Sequence, residues 1–477
     1  MKKLLTVFLL LVALTALWAC KDKDGAEPSI YALINGDIEG GSLSVELNSL
    51  ELKDFEYQSD GQTVKAKGYA LNEVLNQADI ISGQNLLMIT ATDGVSAVID
   101  ESTAHLCYIM ADGQKLNIKA PEHPAVVGIK DVKEFTVIAQ EDIDIGIKII
   151  ENNSMESISY GNAKLWFFEP SGGQSVKFGN TANKYLPKKG DVGLDAIIDY
   201  QNNIVYGHNF DIVKTSQSGK LSWENGKISF EADGKSIPSI MGIAANVDTI
   251  IYDAYEIMRS ELDKGNKVMF ILPDGLSYGQ VAHFQQHLNL LGGNYIKAAS
   301  VNPAISNVAL ASIITGRSPF ETGITERGVK KPNYDDIFDY ALSKGLSARY
   351  IEGNSTLVAT NIEPKLNLPD TNGFTDKNVY ESAMAALGDN PDLLFVHFHG
   401  IDDVNHDFSP LSSQALDKIL KIEEYIEDLM ENFDGAVIIA PDHGSVGYAD
   451  KDGSFKGKHG VFQPDDMFVP FYTFLKD

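Results

Sequence analysis

Four short stretches of this chain carry carboxylates and imidazoles in patterns that suit a divalent cation: Pro273-Asp274-Gly275, Asp402 with His406, the pair Asp442-His443, and His459 within Gly-Lys-His-Gly. Carboxylate oxygen and imidazole nitrogen are the donors that zinc and related ions take. Asp402 and His406 stand four apart, which on a helix places both on one face. Seven of the ten histidines lie beyond residue 270, so the imidazoles concentrate where these carboxylates are. A fifth stretch, Asn302-Pro-Ala-Ile-Ser306-Asn-Val-Ala-Leu-Ala-Ser-Ile-Ile-Thr-Gly316, reads as an apolar helix starting at Ser306 and stopping at Gly316. Its first turn offers backbone N–H groups and the positive dipole end to an anion. A serine hydroxyl held there against a metal loses its proton readily and becomes a nucleophile. Singly, each group has a plainer use: an Asp after a strand caps a turn, and a Ser at a helix start caps the helix. Their conjunction is what argues for chemistry.

The elements that must position these groups read as alternating strands and helices from about Val247. Lys267–Leu272, Ser347–Ile351, Leu393–Phe398 and Ala436–Ala440 are short apolar runs of the kind buried on both faces of a parallel sheet, with helical stretches such as 334–344 and 416–432 between them. Three of the runs lead directly into Pro273-Asp274-Gly275, His399-Gly-Ile-Asp402 and Pro441-Asp442-His443. Ligand sites of open α/β sheets lie beyond the carboxyl ends of the strands, so these groups are expected to converge in one crevice. His397 and His399 alternate beside Asp402, and nothing in the sequence ties them to it. His283 and His287, four apart on an expected helix, have no carboxylate partner in the sequence and read as surface or structural groups.

With these motifs in place, the segment from about residue 266 to 471 resembles the alkaline phosphatase superfamily, within it the nucleotide pyrophosphatase/phosphodiesterase-like branch. The resemblance implies two divalent metal ions, zinc above all. Asp274, Asp442 and His443 would hold one together with the Ser306 oxygen, and Asp402, His406 and His459 the other. It further implies hydrolysis of a phosphate mono- or diester through a phosphoserine on Ser306, which water then cleaves. Sulfatases of the same superfamily need x-Pro-x-Arg after the nucleophile, whereas Ser306 is followed by Asn-Val-Ala-Leu, and a glycolytic mutase has no reason to be exported. Diesterases of the resembling branch usually place Thr at the Ser306 position and Asn after the glycine matching Gly323, where this chain reads Gly323-Ile-Thr-Glu-Arg327-Gly. Arg327 turned inward would pair with non-bridging phosphoryl oxygens and favour a dianionic monoester. Asn307, directly after the nucleophile, could donate to the same oxygens or equally serve as a first-turn helix residue. A transferase passing the phosphoryl or phospho-headgroup to another alcohol, and a non-catalytic binding lipoprotein, are the alternatives.

The remainder of the chain is read from composition and turn signals. At 477 residues, with 44% hydrophobic and 22% charged, the composition is globular and too long for one core. A formal charge of −27 repels nucleic acid and anionic headgroups, so no nucleic-acid binding is expected. Residues 1–19 form a basic start and an apolar run too short to span a bilayer, ending in Leu-Trp-Ala-Cys20. That pattern resembles a bacterial lipobox and implies cleavage before Cys20, its lipidation, and a membrane-anchored protein in the bacterial cell envelope outside the cytoplasm. Cys107 is then the only other cysteine, and no intramolecular disulfide can form. After a linker at 20–30, two β-rich domains are expected at 31–145 and 146–245, and the alkaline-phosphatase-like catalytic domain at 250–477. Asp60-Gly61, Asp112-Gly113 and Asn225-Gly226 mark hairpins, the last with Leu221, Trp223, Ile228 and Phe230 on one face. Residues 68–95 faintly resemble the pterin-binding fold of sulfite-oxidase-like proteins without a motif for a molybdenum cofactor, and the region is read as a binding or spacer module.

Overall fold

The computed structural model describes residues 28–199, 202–216 and 218–475. Cys20 and the leader lie outside the described residues. No helix among the described residues is long and apolar enough to cross a membrane.

The C-terminal half is built on a seven-stranded sheet in the order Ile296–Ala299, Phe468–Phe474, Ala436–Ile439, Val268–Pro273, Leu393–Phe398, Ala348–Glu352, Lys365–Leu366. The pairings from Ala436–Ile439 to Lys365–Leu366 are parallel, and the two strands at the other edge pair antiparallel. Every residue of Val268–Pro273 and Leu393–Phe398 is buried, as continuous apolar runs in a sheet covered on both faces must be. Helices Asp253–Asp263, Ser306–Thr315 and Ile337–Ser343 contribute to the core on one side, and Asp376–Leu387 and Ser413–Glu431 to the core on the other. This is the mostly parallel α/β sheet that the alternation of runs predicts, and it is consistent with the alkaline-phosphatase-like arrangement that the resemblance implies. Register does the positioning: Pro273 pairs with Phe398 and Ile271 with both Val396 and Ile439, so the residues following these strands emerge at one edge.

Helix Ser306–Thr315 is buried at every position from Asn307 to Thr315. It ends at Gly316, whose φ of 65° is the left-handed conformation a glycine takes without penalty. Ile305, not Ser306, is the residue preceding the first turn, and it makes no side-chain cap. The Ser306 hydroxyl is therefore not spent on capping.

The N-terminal region is β-rich, as expected. An eight-stranded sheet runs Phe168–Pro170, Asn180–Pro187, Ser96–Asp100, Asn85–Ala91, Val132–Ala139, Tyr31–Gly36, Ser42–Glu46, with Ser175–Lys177 paired to Asn180–Pro187. A five-stranded sheet joins Ile147–Glu151, Ile240–Ala245 and Asn203–Gly207. The expected division at 145/146 is crossed by the first of these sheets, because Asn180–Pro187 pairs antiparallel with Ser96–Asp100. Turn signals report pairing between neighbours in sequence, and this pairing has no turn. The crossing is held by buried polar contacts: Asp37 accepts from Ala139 N, Gly161 N and Ser159 Oγ, and Lys164 Nζ lies 2.9 Å from Glu134 with both side chains buried. The hairpins form where the turn residues place them, and Asn225 and Gly226 take the two positive φ values, 50° and 80°, of the expected turn.

The two halves share a core. Ile150, Ile204, Tyr206 and Ala244 pack in one cluster with Val308, Ile313 and strand residues of the C-terminal half, and Tyr206 Oη donates to Ser300 O at 2.8 Å. The β-rich half thus braces the segment that leads into Ser306.

Candidate active site

All seven residues expected to ligate metal meet at the carboxyl edge of the parallel strands. Ser306 Oγ lies 3.2 Å from His443 Nε2, and His443 Nε2 lies 3.4 Å from both Asp274 Oδ1 and Asp442 Oδ2. A few ångströms away, His406 Nε2 is 3.2 Å and His459 Nε2 3.9 Å from Asp402 Oδ2. The His443 and His459 rings stack with centroids 4.0 Å apart, which joins the two groups into one site. The sequence spacing of Asp402 and His406 works as anticipated, because helix Gly400–Asp407 carries both on one face. That helix is seated by Asn405, whose amide donates to Gly275 O and accepts from Gln280 Nε2.

Two features say that these residues fit divalent cations. First, each histidine has its Nδ1 turned to a backbone carbonyl: His406 to Gly457 O, His443 to Gly444 O, His459 to Ala304 O. A carbonyl only accepts, so Nδ1 carries the hydrogen and the Nε2 lone pair is left for the site, the second-sphere arrangement that orients metal-binding imidazoles. Second, Asp274 Oδ1, Asp402 Oδ1 and Asp442 Oδ2 are buried without any hydrogen-bond partner. Asp442 spends its other oxygen on the N–H groups of Gly275 and His443, which leaves Oδ2 aimed at the cluster. Buried, unpartnered carboxylate oxygens are costly unless a cation faces them. The contacts of 3.2 to 3.4 Å also equal the edge of a tetrahedron of ligands about 2.0 to 2.1 Å from a zinc ion, about 3.3 Å.

Without the ions, protons take the place of cations among the crowded carboxylates. Burial, and then the neighbouring Asp274, push the Asp442 carboxyl up to about 7. Burial opposes a charge on His443, but Asp442 and Asp274 outweigh it and raise the imidazole to about 10. Burial together with His443 pushes His459 down to about 4, so its ring is neutral and able to ligate.

The two residues expected to bind substrate are placed differently from one another. Arg327 turns inward, its Nη2 3.3 Å from His459 Nε2, although the residue as a whole is exposed. Asn307 does not face the site with a free amide: Nδ2 donates to Glu326 O at 2.9 Å and Val329 O at 3.1 Å. Both amide hydrogens are committed to the loop that carries Arg327, so Asn307 holds that loop where donation to substrate was expected. A cavity of about 190 Å³ beside Ser306 is lined by Ile305, Asn307, Arg327, Gly328, Lys330 and Leu357. Lys330 is pinned there by its bond to Thr356 O.

Sequence reasoning missed a third group. His397 and His399, without a visible tie to the site, both contact Asp274 Oδ2 at 3.3 Å, and both contact Glu352 on their other side. Glu352 was not anticipated at all. Its signal is the position at the end of the run Ala348–Glu352, whose parallel pairing sets Ile351 opposite Val396 and so brings Glu352 beside His397. Burial opposes its ionisation, but His397 and His399 hold the carboxyl well below the usual range. His283 and His287 are exposed, as read from the sequence.

Residues 358–459 match the family model for type I phosphodiesterase / nucleotide pyrophosphatase, a segment that contains Asp402, His406, Asp442, His443 and His459. Over these residues the resemblance to the nucleotide pyrophosphatase/phosphodiesterase branch of the alkaline phosphatase superfamily holds. Two solved structures of murine ectonucleotide pyrophosphatase/phosphodiesterase 5 are similar to part of the chain. One is an inactive variant in complex with AMP (15% identity, TM-score 0.31) and the other the protein itself (16%, 0.32). Each similarity covers 39% of this chain and 59% of the murine one, so the chain spans less than two thirds of these neighbours. No curated protein matches the sequence.

Proposed function

We propose that this chain is a two-metal phosphohydrolase that cleaves a phosphate ester through a phosphoserine on Ser306. The observation that carries the reading is the position of the Ser306 hydroxyl: uncapped, and 3.2 Å from His443 Nε2, a nitrogen that itself lies 3.4 Å from the partnerless oxygens of Asp274 and Asp442. Asp274, Asp442, His443 and Ser306 would hold one ion, and Asp402, His406 and His459 the other. Such ions, when bound, supply the positive charge that lowers the hydroxyl pKa and offsets the charge on the leaving oxygen.

The protein's own groups do the rest. Ser306 Oγ gives up its proton and attacks phosphorus. The P–O bond to the alcohol breaks, and the alcohol leaves with a proton. Water then attacks the phosphoserine, restoring the serine and releasing phosphate. Val308 N and Ala309 N donate to Ile305 O, so the N–H groups of Ser306 and Asn307 are the ones the helix start would offer to the phosphoryl oxygens. Arg327 adds a planar donor pair on the same side, and with Lys330 it lines a small cavity with two positive charges. Two cations in a confined pocket favour a dianionic monoester over a monoanionic diester. Zinc is the ion the mixed imidazole and carboxylate set suits best, and the Cys20 leader assigns the enzyme to the envelope as a lipid-anchored protein.

Substituting Ser306→Ala should abolish turnover of a chromogenic monoester with metal content unchanged, while the wild-type enzyme, quenched in acid during turnover, carries one phosphoryl group on Ser306 by mass spectrometry. Turnover by Ser306→Ala, or a phosphoryl group on another residue, overturns the assignment. The ratio of monoester to diester rates decides the substrate class.

A further inference from the structure

We infer that Asp274 Oδ2, His397 Nε2 and His399 Nδ1 form a third transition-metal site, distinct from the two of the proposed function and sharing only the carboxylate of Asp274. Glu352 stands behind both imidazoles. Its carboxylate lies 3.1 Å from His397 Nδ1 and 2.6 Å from His399 Nε2. It is fully buried, and besides these rings it accepts from Gly353 N and Tyr350 Oη. A carboxylate in this setting only accepts, so the hydrogens sit on His397 Nδ1 and His399 Nε2. With an ion bound the rings are neutral and their lone pairs are His397 Nε2 and His399 Nδ1, both aimed at one oxygen of Asp274; without it, protonated rings donate there instead.

These contacts do not have the lengths of charge-assisted hydrogen bonds. Both are 3.3 Å, whereas His399 approaches Glu352 to 2.6 Å in the same cluster. A separation of about 3.3 Å is again the edge of a tetrahedral set around an ion at about 2.0 to 2.1 Å. All three candidate ligand atoms lie within 4.8 Å of one another. Glu352 behind both imidazoles reproduces the carboxylate–histidine–metal arrangement that fixes tautomer and ring orientation.

The Asp274 carboxylate divides its labour. Oδ1 faces His443 and has no hydrogen-bond partner, while Oδ2 faces His397 and His399. One carboxylate thereby bridges from the nucleophile's side of the site to a deeper position. Two imidazoles and a single carboxylate oxygen suit zinc, cobalt or another late first-row ion, and not magnesium or calcium, which take oxygen ligands. His397 is completely buried and His399 is 20% exposed, so the fourth position opens towards solvent on the His399 side. The ring of His399 packs against Gly353, where an added Cβ would come within 2.6 Å of it. Both the ring and its backing carboxylate are thus held in place without the ion. The site's consequence for the reaction is positional: an ion on Oδ2 keeps the plane of the Asp274 carboxylate fixed while Oδ1 serves the nucleophile's side.

The test uses the full-length protein stripped with a chelator and reloaded with zinc alone. Anomalous diffraction at the zinc edge should show a peak about 2.0 to 2.1 Å from Asp274 Oδ2, His397 Nε2 and His399 Nδ1. Elemental analysis should show one zinc fewer per chain in His399→Gln than in wild type, and about 10- to 100-fold weaker binding of that one zinc in Glu352→Gln. Peaks at the Asp274–Asp442–His443 and Asp402–His406–His459 positions with none between His397 and His399 overturn this inference and leave the proposed function standing. No peak at any position overturns both. An unchanged zinc count in a folded His399→Gln overturns the third site alone, and the wild-type map decides the matter if that variant does not fold.

Discussion

Asn307→Ala separates a residue that touches substrate from one that holds a loop. Asn307 is 8% exposed, and its amide donates to Glu326 O and Val329 O at 2.9 and 3.1 Å, bracketing Arg327. A buried hydrogen bond contributes about 1 kcal/mol net, so losing both shifts the loop equilibrium by about 2 kcal/mol, or about 30-fold. If the closed loop is what presents Arg327, kcat/KM for a monoester should fall by up to about 30-fold in Asn307→Ala. The loss should not exceed that of Arg327→Ala. The two effects should also fail to add, because the double variant has no Arg327 left to misplace. Steady-state kinetics on the four proteins, with metal content measured alongside, makes the comparison. Additive losses, or a fall of about 10²- to 10³-fold in kcat with KM unchanged, would place the Asn307 amide on the transition state itself and refute the loop reading.

Two further perturbations test the scaffold. Gly275 has φ +77°, and a Cβ there would sit 2.7 Å from Asp402 Cβ and 2.9 Å from its Cα. Gly275→Ala therefore costs about 1 to 2 kcal/mol for the left-handed backbone and displaces Asp402. It should lose the ion of the Asp402–His406–His459 group and keep that of Asp274–Asp442–His443, and unchanged metal content would show that the two groups are not coupled through this contact. Lys164→Met leaves Glu134 charged and buried without its partner 2.9 Å away. It should destabilise the N-terminal sheet by about 3 to 5 kcal/mol in urea unfolding, and adding Glu134→Leu should recover most of the loss. A change under about 1 kcal/mol would show that water or another group replaces the lysine.

Much of the site was legible because its signals are local. Asp402 and His406 report their shared face through helical spacing, Asp274 and Asp442 through the apolar runs that end just before them, and the start of helix Ser306–Thr315 through its apolar stretch and terminal Gly316. The hairpin at Asn225-Gly226 is likewise a matter of two adjacent backbone conformations. Side-chain chemistry and the period of the local element were sufficient for these, since neither depends on a distant partner.

The rest was decided by contacts between segments far apart in the chain. Glu352 meets His397 only because two parallel strands align in one register, and that register leaves no periodicity in either segment. Asn307 looks the same in sequence whether its amide faces a phosphoryl group or the carbonyls of residues 326 and 329. The sheet that crosses the expected boundary near residue 145 joins strands more than 80 residues apart without a turn between them. Which side chains can do chemistry follows from composition and local spacing. Which atoms of those side chains are free to do it follows from hydrogen-bond partners that only the folded chain brings within reach.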